Sequence, residues 1–261
     1  MQPSKELSLA RQRVVRRLGD RRGRAREALV LLEGRRSIET ARSGGAHIRF
    51  VVLAPDSASA VEVAMAQGLA EDGVEVVSAP EELLVEIADT ETPQSILAVA
   101  TEPRPQLPER AQGTLLVLDQ VQDPGNAGTL IRTAAAFGAE RVLVLDGTVD
   151  PWSPKVVRAS AGTVFLLPVH RLSMEQALAW LEGGGVPLLV ADADGEDVRG
   201  VSVDEPLALV LGNEGSGPRP EVRAAAWRVV ALPMTAGTES LNVAVAGSIL
   251  LWTLGPDARA L

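Results

Sequence analysis

The chain of 261 residues has no cysteine, so disulfides, thiolate metal ligands and a cysteine nucleophile are excluded. Tyrosine is also missing, and three phenylalanines and four tryptophans leave few flat surfaces for stacking nucleobases. Any nucleic acid would therefore be read mainly through phosphates and shape. His47 and His170 are the whole supply of imidazole; neither has an obvious partner in sequence, and both read as structural. No apolar run reaches the ~20 residues that span a bilayer. The opening stretch MQPSKELSLARQRVVRR lacks the apolar segment of a secretory signal. A cytoplasmic protein without a membrane partner is the expectation. A glycine-lysine phosphate loop, an HExxH pair and a GxSxG elbow are absent too, and no metal site is expected.

What is present begins with charge. The net charge is −9, yet residues 1–49 hold 13 of the 25 lysines and arginines against five acids, a local balance of +8. The remaining residues carry −17. A basic front on an acidic body points to a polyanion engaged at the front, or more plainly to a solvated arginine-rich helix.

An apolar content of 46% with 23% charged residues is ordinary for a globular chain, and the length allows one large or two ordinary domains. The pattern predicts a helix over 7–18 and strands over Ala28–Glu33, Ile48–Ala54, Val74–Ser78 and Ile96–Ala100, with helices between them. That is a small α/β unit. Thr101 to Gly113 has three prolines and no apolar periodicity and reads as a semi-extended linker, with a domain boundary near residue 105. A second unit, 106–261, follows. Its expected strands are Leu115–Leu118, Val142–Leu145, Val164–Pro168, Pro187–Ala191, Leu207–Leu211 and Val229–Leu232. Strands alternating with helices imply α/β architecture, a parallel sheet with helices on both faces.

Three stretches of this unit carry the chemistry. LLVLDQVQDPGNAGTLIRTAAAF runs from a strand through a glycine turn holding Asn126 into a helix carrying Arg132. LALVLGNEGSGP runs from a strand into a glycine loop around Glu214. LPMTAGTESLNVAVAGSILLWTL leads through a polar loop, Thr235 to Glu239, into an apolar segment. Ser240 is the expected N-cap of that last helix, with Asn242 buried in its first turn. Strand ends that feed glycine loops build one site at the carboxyl edge of an open sheet. A nicotinamide dehydrogenase is disfavoured, since no GxGxxG turn follows the first strand of this unit.

In order and spacing these stretches resemble the SpoU (TrmH) family of RNA ribose 2′-O-methyltransferases in the SPOUT superfamily. Asn126-Ala-Gly128-Thr-Leu-Ile-Arg132 is similar to its first motif and Gly212-Asn-Glu214-Gly-Ser-Gly217 to its second. Pro233-Met234 with Glu239-Ser240-Leu241-Asn242-Val243 is similar to its third. LLEGRRSIETA and DTETPQSILAVA resemble the RNA-binding domain often fused in front.

The resemblance implies a C-terminal trefoil knot, a homodimer, and S-adenosylmethionine as donor, held near Gly212, Leu232, Leu241 and Ala191. It implies a catalytic set of Arg132, Asn126, Glu214, Ser240 and Asn242. Arg132 is expected beside the reacting hydroxyl and a substrate phosphate. Because a guanidinium stays protonated, it suits phosphate positioning and charge stabilisation better than proton removal. Asn126 is read as a helix cap that also orients ribose or Arg132, and Glu214 as a loop anchor. The substrate implied is structured RNA, ribosomal before transfer RNA. The alternative is an RNA-binding chaperone that has lost transfer.

Overall fold

The computed structural model describes residues 5–88, 94–203, 205–235 and 240–255. The motif residue Glu239, with the rest of 236–239, and the stretch 89–93 lie outside the described residues. In chain order the elements are α1 (Leu9–Leu18), α2 (Arg21–Glu27), β1 (Leu29–Glu33), α3 (Arg35–Ser43), β2 (Ile48–Leu53), α4 (Ala60–Glu71), β3 (Glu75–Ser78), α5 (Glu81–Ile87) and β4 (Ile96–Thr101). They continue with β5 (Thr114–Leu118), α6 (Pro124–Ala136), β6 (Arg141–Leu145), α7 (Pro154–Ala159), β7 (Val169–Leu172), α8 (Met174–Gly183), β8 (Leu188–Asp197), β9 (Leu207–Leu211), α9 (Pro220–Ala224), β10 (Arg228–Ala231) and α10 (Val243–Leu254).

Contacts divide the chain into residues 1–103 with 152–166, and residues 104–151 with 167–261. A single cut near residue 105 therefore misses an excursion: 152–166 packs within the first unit. There Trp152 meets Phe165 edge-on at 5.3 Å, and Arg158 donates to Glu33 at 2.8 Å. Gly162 has φ +82°, and a Cβ on it would stand 2.4 Å from the Ser37 carbonyl oxygen. That close turn explains why the strand expected over Val164–Pro168 is a 3-10 turn, Thr163–Phe165, with the strand displaced to β7.

The first unit carries a four-stranded mixed sheet in the order β1-β4-β2-β3. Strand β4 runs antiparallel to both neighbours, while β2 and β3 are parallel. Its helices start at side-chain caps where the sequence supplies them, as at Ser8, Asp20 and the Ser59–Glu62 capping box. Val15, Leu18, Leu31, Phe50, Leu84 and Leu97 fill one side of the sheet.

The second unit carries six parallel strands in the order β10-β8-β9-β5-β6-β7. Strands β5, β6 and β9 are buried along their whole length, as strands covered on both faces must be, which accounts for runs such as LLVL and LALVL. Leu115, Val117, Leu143, Val190 and Val210 pack with Ala177 and Leu181 of α8 and Val222 of α9. The alternate residues face the other way, where Gly247 of α10 lies so close that a Cβ would meet Leu211 at 2.3 Å and Leu130 of α6 at 2.5 Å. The chain runs outward through β5, β6 and β7, then returns to build β8, β9 and β10 on the other side. Such a reversal leaves a crevice at the carboxyl ends of the strands.

The stretch expected as a semi-extended linker is tied down from residue 108 onward. Ala111 is buried, Trp180 Nε1 donates to the Pro108 carbonyl at 2.7 Å, and the amides of Gln112 and Gly113 donate to Glu140. Among the described residues no helix is long and apolar enough to cross a membrane.

His170 on β7 is buried, with Nε2 3.2 Å from an Arg141 guanidinium nitrogen. Burial and then the positive charge of Arg141 hold the imidazole below its ordinary value of 6.5. A depressed folded value means that the neutral ring stabilises the fold above 6.5. This contribution is lost as pH falls from there through the folded value. Urea midpoints are therefore expected to drop between neutral pH and pH well below 6.5, and His170→Gln to flatten that part of the profile.

Candidate functional site

Three loops meet at the carboxyl edge. After β9, Asn213 and Gly217 exchange both backbone hydrogen bonds at 3.0 Å, closing a small ring. Inside it Asn213 Oδ1 accepts from the amides of Gly215 (2.9 Å) and Ser216 (3.1 Å), and its Nδ2 donates to the Gln120 carbonyl at 2.9 Å. Only glycine fits at 212, because a Cβ there would lie 2.2 Å from the Pro218 nitrogen. The ring projects Glu214 toward the start of α6. Its Oε1 accepts from the Asp123 amide (3.2 Å) and from Asn126 Nδ2 (3.0 Å), and its Oε2 from the Gln122 amide (3.3 Å). Burial pushes the Glu214 carboxyl up, but the Asn126 side chain and the backbone donors outweigh it and leave the group below its usual 4.5.

Helix α6 opens with Pro124 after Asp123, whose Oδ1 accepts from the Asn126 amide at 2.8 Å. Asp123, not Asn126, is thus the cap. The Asn126 carboxamide is free to bridge: it donates to Glu214 and accepts from Asn242 Nδ2 at 3.0 Å. Asn242 in turn caps α10, its Oδ1 accepting from Ala244 (2.9 Å) and Val245 (3.2 Å). Two expectations fail here. Ser240 is not the N-cap, and Asn242 is neither buried nor inside the helix; it is the exposed cap at φ −51°, ψ 136°. An asparagine with extended backbone satisfies two free amides, and the helix begins at Val243.

A cleft of about 280 Å³ opens beside this network, between the middle of β8 and the ends of β9 and β10. Ala191, Gly212, Leu232 and Leu241 line it, together with Glu214 and Ser240. Asn126 and Asn242 reach the cleft only through Glu214 and the start of α10. Arg132 stands apart. It lies six residues along α6 from Asn126, hence ~9 Å further and ~120° round the axis. It is exposed and makes no hydrogen bond or ion pair with another described residue.

The sequence reading missed a buried ion pair under the glycine loop. Asp119, fully buried at the end of β5, accepts from Arg219 N (2.8 Å) and Nε (2.7 Å). Arg219 also donates to Asp146 at the end of β6 (3.2 Å), and Asp146 accepts from the Met174 amide that opens α8 (2.8 Å). The Arg219 hydrogen bond holds the Asp146 carboxyl below 3.8. The available signal was a lone charge directly after an apolar strand, Asp119 after LLVL. Asp192, on the cleft wall, is ion-paired with Arg223, which also bonds Asp194 at 2.8 Å.

Residues 113–252 match the SpoU rRNA methylase family, and residues 11–98 match the MRM3-like substrate-binding domain. The chain belongs to the SpoU rRNA methylase family. A 23S rRNA guanosine 2′-O-methyltransferase of Bacillus subtilis is 30% identical over 92% of this chain and 93% of its own. A 23S rRNA uridine 2′-O-methyltransferase of Streptomyces viridochromogenes is 30% identical over 90% of this chain and 85% of its own. The crystal structure of an AdoMet-bound rRNA methyltransferase from Sinorhizobium meliloti superposes with TM-score 0.84 at 28% identity, covering 98% of each chain. In this SpoU chain the Asp119–Arg219 pair anchors the second-motif loop. Asp119→Asn removes the buried charge partner of Arg219 and leaves it only the exposed Asp146, so a loss of about 1.5–3 kcal/mol is expected in denaturant unfolding. A loss below about 1 kcal/mol would mean the pair contributes little.

Proposed function

We propose that the chain transfers a methyl group from S-adenosylmethionine to a ribose 2′-hydroxyl of 23S rRNA. The reading rests on one observation above the others: Asn126 joins Glu214 to Asn242, tying all three motif segments to the rim of a single cleft. The two relatives are named for a guanosine and a uridine target, so what they share is the ribose oxygen rather than the base. That fits a chain with few aromatic side chains for base stacking.

The cleft residues suit the donor. Leu232 and Leu241 offer apolar walls for an adenine, and the glycine ring brings backbone close without side-chain obstruction. Bound there, S-adenosylmethionine would supply an electrophilic methyl group. The chain's own contribution is orientation and charge. Asn126 has both ends of its carboxamide fixed, so its orientation is set before substrate arrives. Ser240, at the cleft and exposed, is a hydroxyl available to the acceptor ribose or to the donor carboxylate. Arg132, without a partner among the described residues, is available to a substrate phosphate and to negative charge developing on the oxygen that loses its proton.

We extend the reading to a homodimer and a knotted C-terminal segment. Val245, Ile249 and Trp252 form an exposed apolar stripe along α10, 41–54% accessible, of the kind that subunit contacts cover. A cytoplasmic location follows from the substrate.

Purified protein is expected to move labelled methyl groups from S-adenosylmethionine into 23S rRNA as 2′-O-methylribose. Arg132→Ala should lower the rate by about 100-fold or more with donor affinity little changed. Gly212→Ala should instead abolish donor binding by forcing the ring open. No incorporation by the wild-type chain would favour the chaperone reading. Ile249→Asp should convert a dimer to a monomer in sedimentation; an unchanged mass would remove the α10 stripe from the interface.

A further inference from the structure

The positive charge of residues 1–49 is distributed unevenly once its partners are counted. Arg11 is bonded to Glu75, Arg16 to Glu86, Arg17 to Glu27, Arg35 to Glu39 and Arg42 to Asp72. Arg24 is buried, with its guanidinium on the carbonyls of Leu18 (2.8 Å) and Gly19 (3.1 Å). Arg13 on α1, Arg36 on α3 and Arg49 on β2 are exposed without a described partner but stand singly, whereas Arg21, Arg22 and Arg26 share one helix. All three are exposed on α2, and none bonds or pairs with another described residue.

The acids beside them are already committed. Glu27 holds Arg17, and the Asp20 carboxylate accepts from the Gly23 amide at 3.2 Å as the α2 cap. Arg21 and Arg22 occupy the first turn of the helix, where the macrodipole disfavours cations. Arg22 and Arg26 are one turn apart, an i,i+4 pair of like charge. The dipole favours Arg26 in the last turn, but it gives no reason to place Arg21 and Arg22 in the first, nor to set Arg22 against Arg26.

The helix is nonetheless held firmly. A Cβ on Gly23 would lie 2.0 Å from the Arg17 carbonyl oxygen, so α2 rests backbone-to-backbone on α1, and Arg24 pins its other end. The result is a short, fixed ridge of uncompensated guanidinium groups facing away from α1.

We infer that the Arg21–Arg22–Arg26 ridge is a docking surface for the phosphodiester backbone of the RNA substrate. This rests on the reading that RNA is the substrate, and it names the part of the first unit that meets it. Guanidinium forks match phosphate oxygens, and a backbone contact fits a chain with few aromatic side chains.

The test compares two variants of equal charge. One carries Arg21→Gln, Arg22→Gln and Arg26→Gln; the other carries Arg16→Gln, Arg42→Gln and Arg199→Gln, three exposed arginines that are already paired. Binding of each to a 23S rRNA transcript is measured across a salt series, with donor affinity by calorimetry and thermal unfolding alongside. The ridge variant should bind RNA at least about tenfold more weakly at low salt, with a log–log salt slope shallower by about 3, donor affinity unchanged and unfolding temperature unchanged or higher. The paired variant should keep most of its affinity. Equal losses in both variants would mean that only net charge matters, and an unchanged slope in the ridge variant would mean the ridge meets no phosphate; either overturns the proposal. A ridge variant that keeps RNA binding but loses binding to anionic phosphatidylglycerol vesicles would assign the surface to a membrane and likewise overturn it. If the wild-type chain transfers no methyl group while the ridge variant still loses RNA, the surface stands and the proposed reaction falls.

Discussion

The carboxamide of Asn126 donates to a carboxylate from one motif and accepts from an amide of another, and both partners are also held by other hydrogen bonds. Glu214 is presented by a ring that Asn213 and Gly217 close, and Asn242 by its duty as the cap of α10. Asn126 itself is released for this role because Asp123 caps α6 in its place. An asparagine can join a pure acceptor to a donor in this way, whereas an aspartate at 126 would face Glu214 with like charge. The rim of the cleft therefore has one low-energy arrangement.

Beneath the rim the sheet supplies the stiffness. Strands β5 and β9 are neighbours in space but far apart in sequence, and the reversal of strand order between them brings the α6 loop and the glycine ring side by side. Asp119 and Arg219 lock these two loops from below, while Asn213 reaches across to the Gln120 carbonyl from above. The edge is thus rich in fixed hydrogen-bond donors and holds no histidine.

The architecture was legible because parallel strands covered on both faces leave unbroken apolar runs, and because glycine loops after LLVL and LALVL mark strand ends. The cleft residues Gly212, Leu232 and Leu241 could be named from the segments that carry the resemblance, and Ala191 from its expected place at a strand end, although β8 runs on past it. What the one-dimensional pattern concealed was which residue caps which helix. Ser240 and Asn242 are both good caps, and the choice turns on where the backbone leaves the extended region. The same holds for Asp123 and Asn126. The excursion of residues 152–166 was invisible because it depends on the close approach of Gly162 to Ser37, a contact between distant segments. Asp119 and Arg219 were overlooked since neither resembles a catalytic residue; their pairing spans a hundred residues. Arg132, by contrast, was singled out from its place in the first motif, and it is exposed and does not join the network.

The most direct test is a double-mutant cycle on donor binding with Asn126→Ala, Asn242→Ala and the two combined, measured by calorimetry with S-adenosylhomocysteine. If Asn126 couples the motifs, the double variant should lose clearly less affinity than the sum of the single losses, with a coupling of about 0.5–3 kcal/mol. Strictly additive losses would show that the two amides act separately, and would contradict a cleft held together by their contact.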